Sequence, residues 1–312
     1  IQGSPIDYSV VSENPSLKGK AISLSKYLDL ISKQYDGIIR ESGFGKMAVI
    51  PSKKFYSYVD SSKLLIREDI PEVAKDKLSD RFEYAVKGNG LDKKDMLILD
   101  ILDTNKWERP VYFNFTSKSQ VNFDLAGRTV QVADLYRVLP LDPEKIVEEQ
   151  LVDTRKMYDN LINKASYDNM NKENIHYSEN YLSFALNRRG QFNTLIRELI
   201  REGDRDTASD VLHKVIDYFP EASVPYDFTS IDLVKYAIVL DEPEVSEDIS
   251  EKMYDLAEEW LTYVNDHEKL SEDLRTKLHL YTLSELTRIY HQTGDLEKAT
   301  RFNNLLEKHF GA

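Results

Sequence analysis

The chain between residues 82 and 115 changes its hydrophobic period twice, which predicts a strand, a helix and a second strand. Apolar side chains take every second position in the two predicted strands, at Phe82, Tyr84, Val86, Val111, Phe113 and Phe115. Between the strands the apolar residues recur at helical spacing, which predicts one buried helix face formed by Leu97, Ile98, Ile101 and Leu102. Asp92 with Asp95 predicts the start of this helix, and Pro110 predicts its end near Asn105.

Similar patterns divide the rest of the chain into two parts. Residues 1–20 have no period and are predicted to be a lead-in segment. A helix is predicted over 22–35, and short strands over 47–50, 55–59, 64–66 and 135–139. We therefore predict a small mixed α/β domain over residues 21–142. From residue 143 the period becomes helical, so we predict an all-α domain over 143–312 and an α+β fold class for the whole chain.

Two segments of the helical part share the landmarks of a tetratricopeptide-like repeat. The first has Gly203-Asp204 at a turn, Ala208 where two helices would touch, and Pro220 at its end. The second has Gly294-Asp295 and Ala299 at the same spacing, without a closing proline. Residues 227–267 carry helical stripes without these landmarks, and we predict a diverged helix pair of the same stack there.

Charge and composition exclude several classes of function. The chain has 312 residues and a formal net charge of −13, so a nucleic-acid partner is not expected, because phosphate backbones require clustered Lys and Arg. The absence of cysteine excludes disulfides, thiolate catalysis and cysteine-ligated zinc. No apolar run reaches the roughly 18 residues of a membrane-spanning helix. Because the chain opens at Ile1 without Met, we expect it to be a piece of a longer protein.

Motifs for catalysis or cofactor binding do not stand out. The six histidines are scattered, without the H-E-x-x-H spacing of a zinc site, at residues 176, 213, 267, 279, 291 and 309. A G-x-S-x-G nucleophile elbow is also missing. We therefore predict no catalytic residue, no metal and no cofactor. Four acidic residues around the central helix could be read as paired carboxylates, but their spacing favours a solvated helix face; they are Asp95, Asp100, Asp103 and Glu108.

The helical repeats offer a binding surface instead. The first helix of each tetratricopeptide-like unit lines a concave face, which predicts a groove carrying Asn193, Arg197, Arg201, Arg288 and His291. Arginine and asparagine suit carboxylates or a peptide backbone, because a guanidinium can form two charge-assisted hydrogen bonds. The three residues on the first helix predict a local positive strip that would select acidic, extended partners. The alternative is an ordinary polar helix face without a ligand.

The chain also resembles a known bacterial family. The resemblance is carried by DMLILDILDTNKWERPVYF, by DLYRVLPL from Asp134 and by DTRKMYDNLINK from Asp153, and it extends over residues 55–228. These segments resemble the soluble C-terminal part of the multi-spanning membrane proteins called domain of unknown function 2723. In their membrane part, those proteins are similar to protein O-mannosyltransferase-like glycosyltransferases. Their acidic catalytic motif lies in a membrane loop that this chain does not contain.

The resemblance implies a periplasmic domain attached to the bacterial inner membrane. On this hypothesis the chain is a non-catalytic accessory domain that binds a polypeptide or glycan acceptor, or a partner protein, for the attached membrane glycosyltransferase. The alternative hypothesis is a carbohydrate-active enzyme that uses paired carboxylates. Two carboxylates converging in a cleft at about 5–10 Å would favour the enzyme.

Overall fold

The computed structural model describes residues 8–42, 45–147, 150–172, 175–265, 270 and 272–310. The chain divides into two compact units, Ile1–Asn160 and Leu161–Ala312. Every strand among the described residues lies in the first unit, whereas the described part of the second unit is helical. The fold is α+β, which confirms the class predicted from the change of hydrophobic period.

The described residues of the first unit form three small sheets. Its described strands are β1 (Tyr8–Val11), β2 (Ala21–Ser23), β3 (Ile39–Ser42), β4 (Gly45–Ile50), β5 (Lys54–Tyr58), β6 (Arg81–Ala85), β7 (Gly90–Asp92), β8 (Val111–Asn114), β9 (Thr129–Val132), β10 (Leu135–Val138) and β11 (Leu151–Val152). The strand orders are β3-β4-β1-β7, β11-β9-β10-β8 and β2-β5-β6. Gly90 lets β7 approach β1, because a side chain there would collide with the Ser9 carbonyl oxygen.

Six α-helices in the described part of this unit accompany the sheets: α1 (Leu24–Ser32), α2 (Ser61–Leu65), α3 (Glu72–Lys75), α4 (Lys93–Thr104), α5 (Phe115–Ser119) and α6 (Thr154–Tyr158). A core cluster joins four of them, α1 to α4, to the inner faces of the sheets, and its largest fully buried members are aromatic: Phe55, Phe82, Tyr84 and Phe123. Burial of such side chains contributes roughly 1.5–3 kcal/mol each, so this cluster stabilises the unit.

The central helix begins and ends where the sequence predicted, but it buries a different face. The Asp92 N–H donates to the Asp95 carboxylate at 2.9 Å, and Asn105 closes the last turn. The predicted face of Leu97, Ile98, Ile101 and Leu102 is wrong in part, because Ile101 is 54% exposed. The buried residues are Asp95, Met96, Leu99, Leu102 and Asp103. Asp95 and Asp103 lie on this inner face, where their carboxylates accept hydrogen bonds.

Two predicted strand segments are helical in the structure. Residues 64–66 were predicted to be a strand, but Ser61–Leu65 is the short helix α2, whose first N–H donates to the Asp80 carboxylate. Phe115 was predicted to continue β8, yet it begins α5 and is 73% exposed. The Asn114 side chain accepts from the Ser117 N–H at 2.7 Å, so a helix cap replaces the strand at this point.

The ends of the predicted domains also differ from the compact units. Within the predicted lead-in segment, Tyr8–Val11 forms a strand between β4 and β7, while residues 1–7 lie outside the described ranges. The predicted change to helix lay at residue 143, but Leu151–Val152 still pairs with β9. The compact first unit extends beyond this pairing to Asn160.

The second unit is built from α7 (Glu179–Glu202), α8 (Arg205–Tyr218), α9 (Ile231–Leu240), α10 (Pro243–Asn265), α11 (Leu274–Thr293) and α12 (Leu296–Phe310), with a short 3₁₀ helix at Phe228–Ser230. Gly203 and Gly294 end α7 and α11 in the left-handed conformation, with φ of 84° and 85°. Glycine adopts this conformation without a steric penalty, which allows two tight helix hairpins. Ala208 is fully buried in α8, the helix that packs against α7.

Candidate functional site

A cavity of about 320 Å³ opens within the helical unit, between α7, α9 and the short helix Phe228–Ser230. Tyr281 of α11 completes its wall. The side chains that give it its chemistry are Asn193, Arg197, Phe228, Asp232, Lys235, Tyr236 and Tyr281. Aromatic rings and charged groups share this space, as in sites that hold both an apolar and a polar part of a ligand.

Asn193 is the most buried polar group of this cavity, at 7% exposed. Its Nδ2 donates to the Thr229 carbonyl oxygen at 2.9 Å, which fixes the orientation of the amide. The Oδ1 atom therefore points away from Thr229, and it accepts no hydrogen bond from the described residues. A buried acceptor without a partner costs free energy that a ligand donor could recover.

Arg197 follows Asn193 by one helical turn and lines the same cavity. Its Nε contacts Glu198 Oε1 at 3.0 Å, while Arg201 Nη2 contacts Glu198 Oε2 at 2.7 Å. Two cations and one anion leave this trio with a net charge of +1. The Arg197 side chain is 56% exposed, and its terminal nitrogens form no hydrogen bond with the described part of the chain. These two nitrogens can therefore receive a carboxylate.

The facing wall is closer to neutral. Lys235 on α9 forms an ion pair with Asp232 at 3.1 Å. Burial raises the pKa of the neighbouring Tyr236, with the negative charge of Asp232 acting in the same direction. Its hydroxyl stays protonated at neutral pH and can donate a hydrogen bond. The predicted positive strip is thus narrower than the sequence suggested, because carboxylates of the same unit neutralise most of the cations.

The other predicted groove residues lie outside the cavity lining. Arg201 is engaged with Glu198, as described above. Arg288 on α11 forms two contacts with Glu285, at 3.2 and 2.6 Å, and a third with Gln292 at 3.2 Å. The hydrogen bond with Glu285 raises the pKa of Arg288. His291 is exposed near the end of α11. The structure therefore brings together Asn193 and Arg197 of the five predicted residues.

Sequence reasoning missed the aromatic part of the wall. Tyr281 is 52% exposed and Phe228 is 41% exposed, although both are large apolar residues. Tyr281 precedes Arg288 by two helical turns, so its position on the polar face of α11 was a usable signal. Phe228 follows a turn rather than a periodic segment, and its sequence context carried no such signal.

The acidic residues around α4 do not form a solvated face as a group. Asp95 is fully buried and accepts hydrogen bonds from the Asp92 N–H and from both the N–H and the side chain of Asn122. Asp103 is 5% exposed and accepts from Ser57 Oγ at 2.7 Å. The prediction of a solvated face is wrong for these two, since folding uses their carboxylates as anchors. Glu108 is exposed, as predicted.

A larger and shallower cavity of about 590 Å³ lies between α10 and α12. Its main cation, Arg301, is already paired with Glu251 at 2.6 Å and stacked on Tyr254 at 4.1 Å. Across the ranges that the structure describes, no three His, Asp or Glu side chains are placed to hold a metal ion. His267 lies outside those ranges. The cavity at Asn193 therefore remains the better candidate for a binding site.

Comparisons with known proteins bear on the first unit. Residues 5–156 match the family model "TMEM260-associated domain 2", which is just under half of the chain and nearly the whole of the first unit. Neither curated proteins nor solved structures gave a match. None of the helices in the described ranges combines the length and apolar character that crossing a membrane requires. By this family match, the chain contains a domain that is linked to a membrane protein family.

Proposed function

We propose that this chain is a non-catalytic accessory part of a membrane glycosyltransferase-like protein, and that its helical unit binds an extended polypeptide. The match of residues 5–156 to a domain associated with a membrane protein supports the link to a membrane. The finer assignment, to the periplasmic part of the domain of unknown function 2723 family, rests on the resemblance of the TNKWERPVYF and YDNLINK segments. The polypeptide could be the acceptor of the attached enzyme or part of a partner protein.

The binding proposal depends on the observation that Asn193 and Arg197 line the same cavity. Asn193 lines the cavity, and its Oδ1, which is buried without a partner among the described residues, accepts the N–H of an extended backbone once the side chain shifts toward the ligand. Arg197, one turn later, offers two nitrogens for a carboxylate side chain. The rings of Phe228 and Tyr281 supply the apolar contact that a neighbouring side chain needs. The ligand is thus an extended segment with a carboxylate beside an apolar residue.

Fluorescence anisotropy with matched peptides tests this proposal. The first peptide is acetylated, amidated and carries one glutamate beside a leucine, and the second has glutamine in place of glutamate. The glutamate peptide is expected to bind about tenfold more tightly to the wild-type chain, because only a carboxylate forms charge-assisted hydrogen bonds with Arg197. Equal affinity for the two peptides would contradict the assignment of Arg197.

The same titration with Asn193→Ala addresses the backbone contact. This variant is expected to weaken both peptides by a similar factor, because the N–H contact does not depend on the side chain of the ligand. The loss of the Thr229 contact is checked by thermal unfolding of the variant. A variant that folds like the wild type and binds both peptides unchanged would remove Asn193 from the site.

A further inference from the structure

The sheet β2-β5-β6 of the first unit has an inner face in the core and an outer face that is largely open. The inner face carries Phe55 and Phe82, both fully buried. Strand register places Tyr56 opposite Glu83 and Tyr58 opposite Arg81 on the outer face. Tyr58 is 72% exposed there. Single exposed hydrophobic residues are common on protein surfaces, whereas adjacent exposed apolar side chains are typical of binding sites. The two neighbouring rings on this open sheet face therefore require an explanation.

These side chains hold one another in a fixed arrangement. The rings of Tyr56 and Tyr58 lie 5.1 Å apart, with 71° between their planes. The Arg81 guanidinium stacks on Tyr56 at 4.2 Å, and its Nε contacts Glu83 Oε1 at 2.7 Å. Arg81 therefore covers one face of Tyr56, while Tyr58 presents its ring to solvent. The group combines an exposed aromatic face with planar donors and acceptors beside it.

Two carboxylates lie at the same end of the sheet as Tyr58. Asp80 directly precedes Arg81, and its Oδ1 accepts from the Ser61 N–H at 3.1 Å and from the Ser61 hydroxyl at 2.6 Å. Asp60 follows Tyr58 by two residues and is paired with Lys63 at 3.1 Å. Hydrogen bonds to hydroxyls hold the pKa of both carboxyl groups below the ordinary value. Both are therefore charged acceptors at neutral pH.

The surroundings of the rings discriminate between kinds of ligand. Ala21 and Ala85 lie on either side of Lys54 in the register, and the outward positions of these three strands carry no aliphatic residue larger than alanine. A protein interface needs about 800 Å² on each partner, with an apolar centre. The two rings alone do not supply such a centre. Arg81 is paired with Glu83, and Asp60 is paired with Lys63, so most charges of this surface are matched and a strongly charged ligand is not favoured either.

From this geometry we infer that the outer face of β2-β5-β6 binds a neutral oligosaccharide. A pyranose ring stacks its C–H face on Tyr58, and its hydroxyl groups exchange hydrogen bonds with Glu83, Arg81 and the carboxylate of Asp80. The surface lies in the first unit, so it is independent of the cavity at Asn193. The inference goes beyond the peptide-binding proposal, and the failure of one leaves the other standing.

NMR titration of the whole chain with cellohexaose, maltohexaose and chitohexaose tests the inference. At least one of them is expected to shift the backbone signals of Tyr58 and Arg81. Tyr58→Ala is expected to weaken that binding by about fivefold to tenfold, because it removes the stacking surface, while Tyr58→Phe retains most of it. Tyr35→Ala is the matched control, since Tyr35 is 55% exposed in the same unit but lies outside the sheet.

Two results would overturn the inference. In the first, none of the three hexaoses shifts the signals of the sheet. In the second, a hexaose binds, but Tyr58→Ala and Tyr35→Ala retain the same affinity as the wild type. Because Tyr58 and Tyr35 are both exposed, Tyr58→Ala and Tyr35→Ala are not expected to alter folding. Unchanged thermal unfolding of these two variants verifies this.

Discussion

At the scale of single residues, Asp95 shows how a buried charge can serve folding. Its carboxylate has no exposed surface, and it connects the first turn of α4 with the segment at Asn122 through hydrogen bonds of 2.8 to 3.0 Å. Hydrogen bonds to a charged acceptor are worth about 1.5–3 kcal/mol, and loss of the acceptor leaves buried donors unpaired. The helix-start pattern predicted the contact of Asp95 with Asp92, but it could not predict the contact with Asn122, which lies 27 residues further along the chain.

Asp95→Ala is therefore expected to lower the free energy of unfolding by about 3 kcal/mol. Glu108→Ala is the control from the same acidic group, and because Glu108 is exposed its change is expected to stay below about 0.5 kcal/mol. Urea unfolding of the two variants measures the difference. A similar loss of stability in both would mean that the contacts of Asp95 do not stabilise the fold.

At the scale of the elements, the α7/α8 hairpin agrees with its sequence landmarks. Gly203 has the left-handed conformation that the turn requires, and the Asp204 side chain accepts from the Thr207 N–H. Ala208 is fully buried in the helix that packs on α7.

Ala208→Leu is expected to overpack this contact and lower the free energy of unfolding by about 1–3 kcal/mol, measured by thermal or urea unfolding. The exposed Glu202→Ala serves as a control, and equal shifts in melting temperature would contradict the close packing of the hairpin.

The packing of α10 against α11 gives a prediction about pH. His279 lies 6.2 Å from Trp260, and burial, with Arg275 nearby, lowers its pKa from 6.5 to about 4. Below pH 6.5 the unfolded chain binds a proton that the folded chain does not, so stability should fall between pH 6.5 and 4. His279→Gln is expected to make the melting temperature less dependent on pH in this window. The same slope in both proteins would show that His279 does not contribute.

Elements with a clear period were predictable, but two short helices that interrupt an apolar pattern were not. Strand β5 and the two glycine turns follow from spacing, and α4 follows from spacing together with its Asp92–Asp95 cap. The helical nature of α2 depends on contacts between Ser61 and Asp80, which are 19 residues apart. The start of α5 at Phe115 depends on the Asn114 cap. In both places a hydrogen bond between a side chain and a backbone N–H overrode the apolar pattern that predicted a strand.

At the scale of the whole molecule, the two units differ in what predicts them: a family match covers most of the first unit, and the hydrophobic period predicts the helices of the second. The family match covers residues 5–156 and thus nearly all of the first unit. The helical character of the second unit could be predicted from its period, and the position of Asn193 and Arg197 on one face of α7 from their spacing, whereas their role in binding stays a prediction. The aromatic wall of the cavity could not be anticipated, because Phe228 and Tyr281 come from segments far apart in sequence that only folding brings together.

The local charge at the cavity edge is opposite in sign to the net charge of the molecule. The chain carries a formal net charge of −13, whereas Arg197, Glu198 and Arg201 together carry +1 at the cavity edge. An acidic ligand must overcome the overall repulsion before the local contact with Arg197 attracts it. Raised salt screens both effects, but the short-range contact in the partly closed cavity is screened less.

Calorimetric titration of the glutamate peptide tests the central claim, that Arg197 and Asn193 form the binding site. The titration compares wild type, Arg197→Ala and Arg201→Ala at low and moderate salt. Arg197→Ala is expected to weaken binding by about tenfold, because it removes the nitrogens that receive the carboxylate. Arg201→Ala should retain nearly the wild-type affinity, since Arg201 lies outside the cavity lining. Equal affinities of all three proteins at both salt concentrations would contradict the claim and return this surface to an ordinary polar helix face.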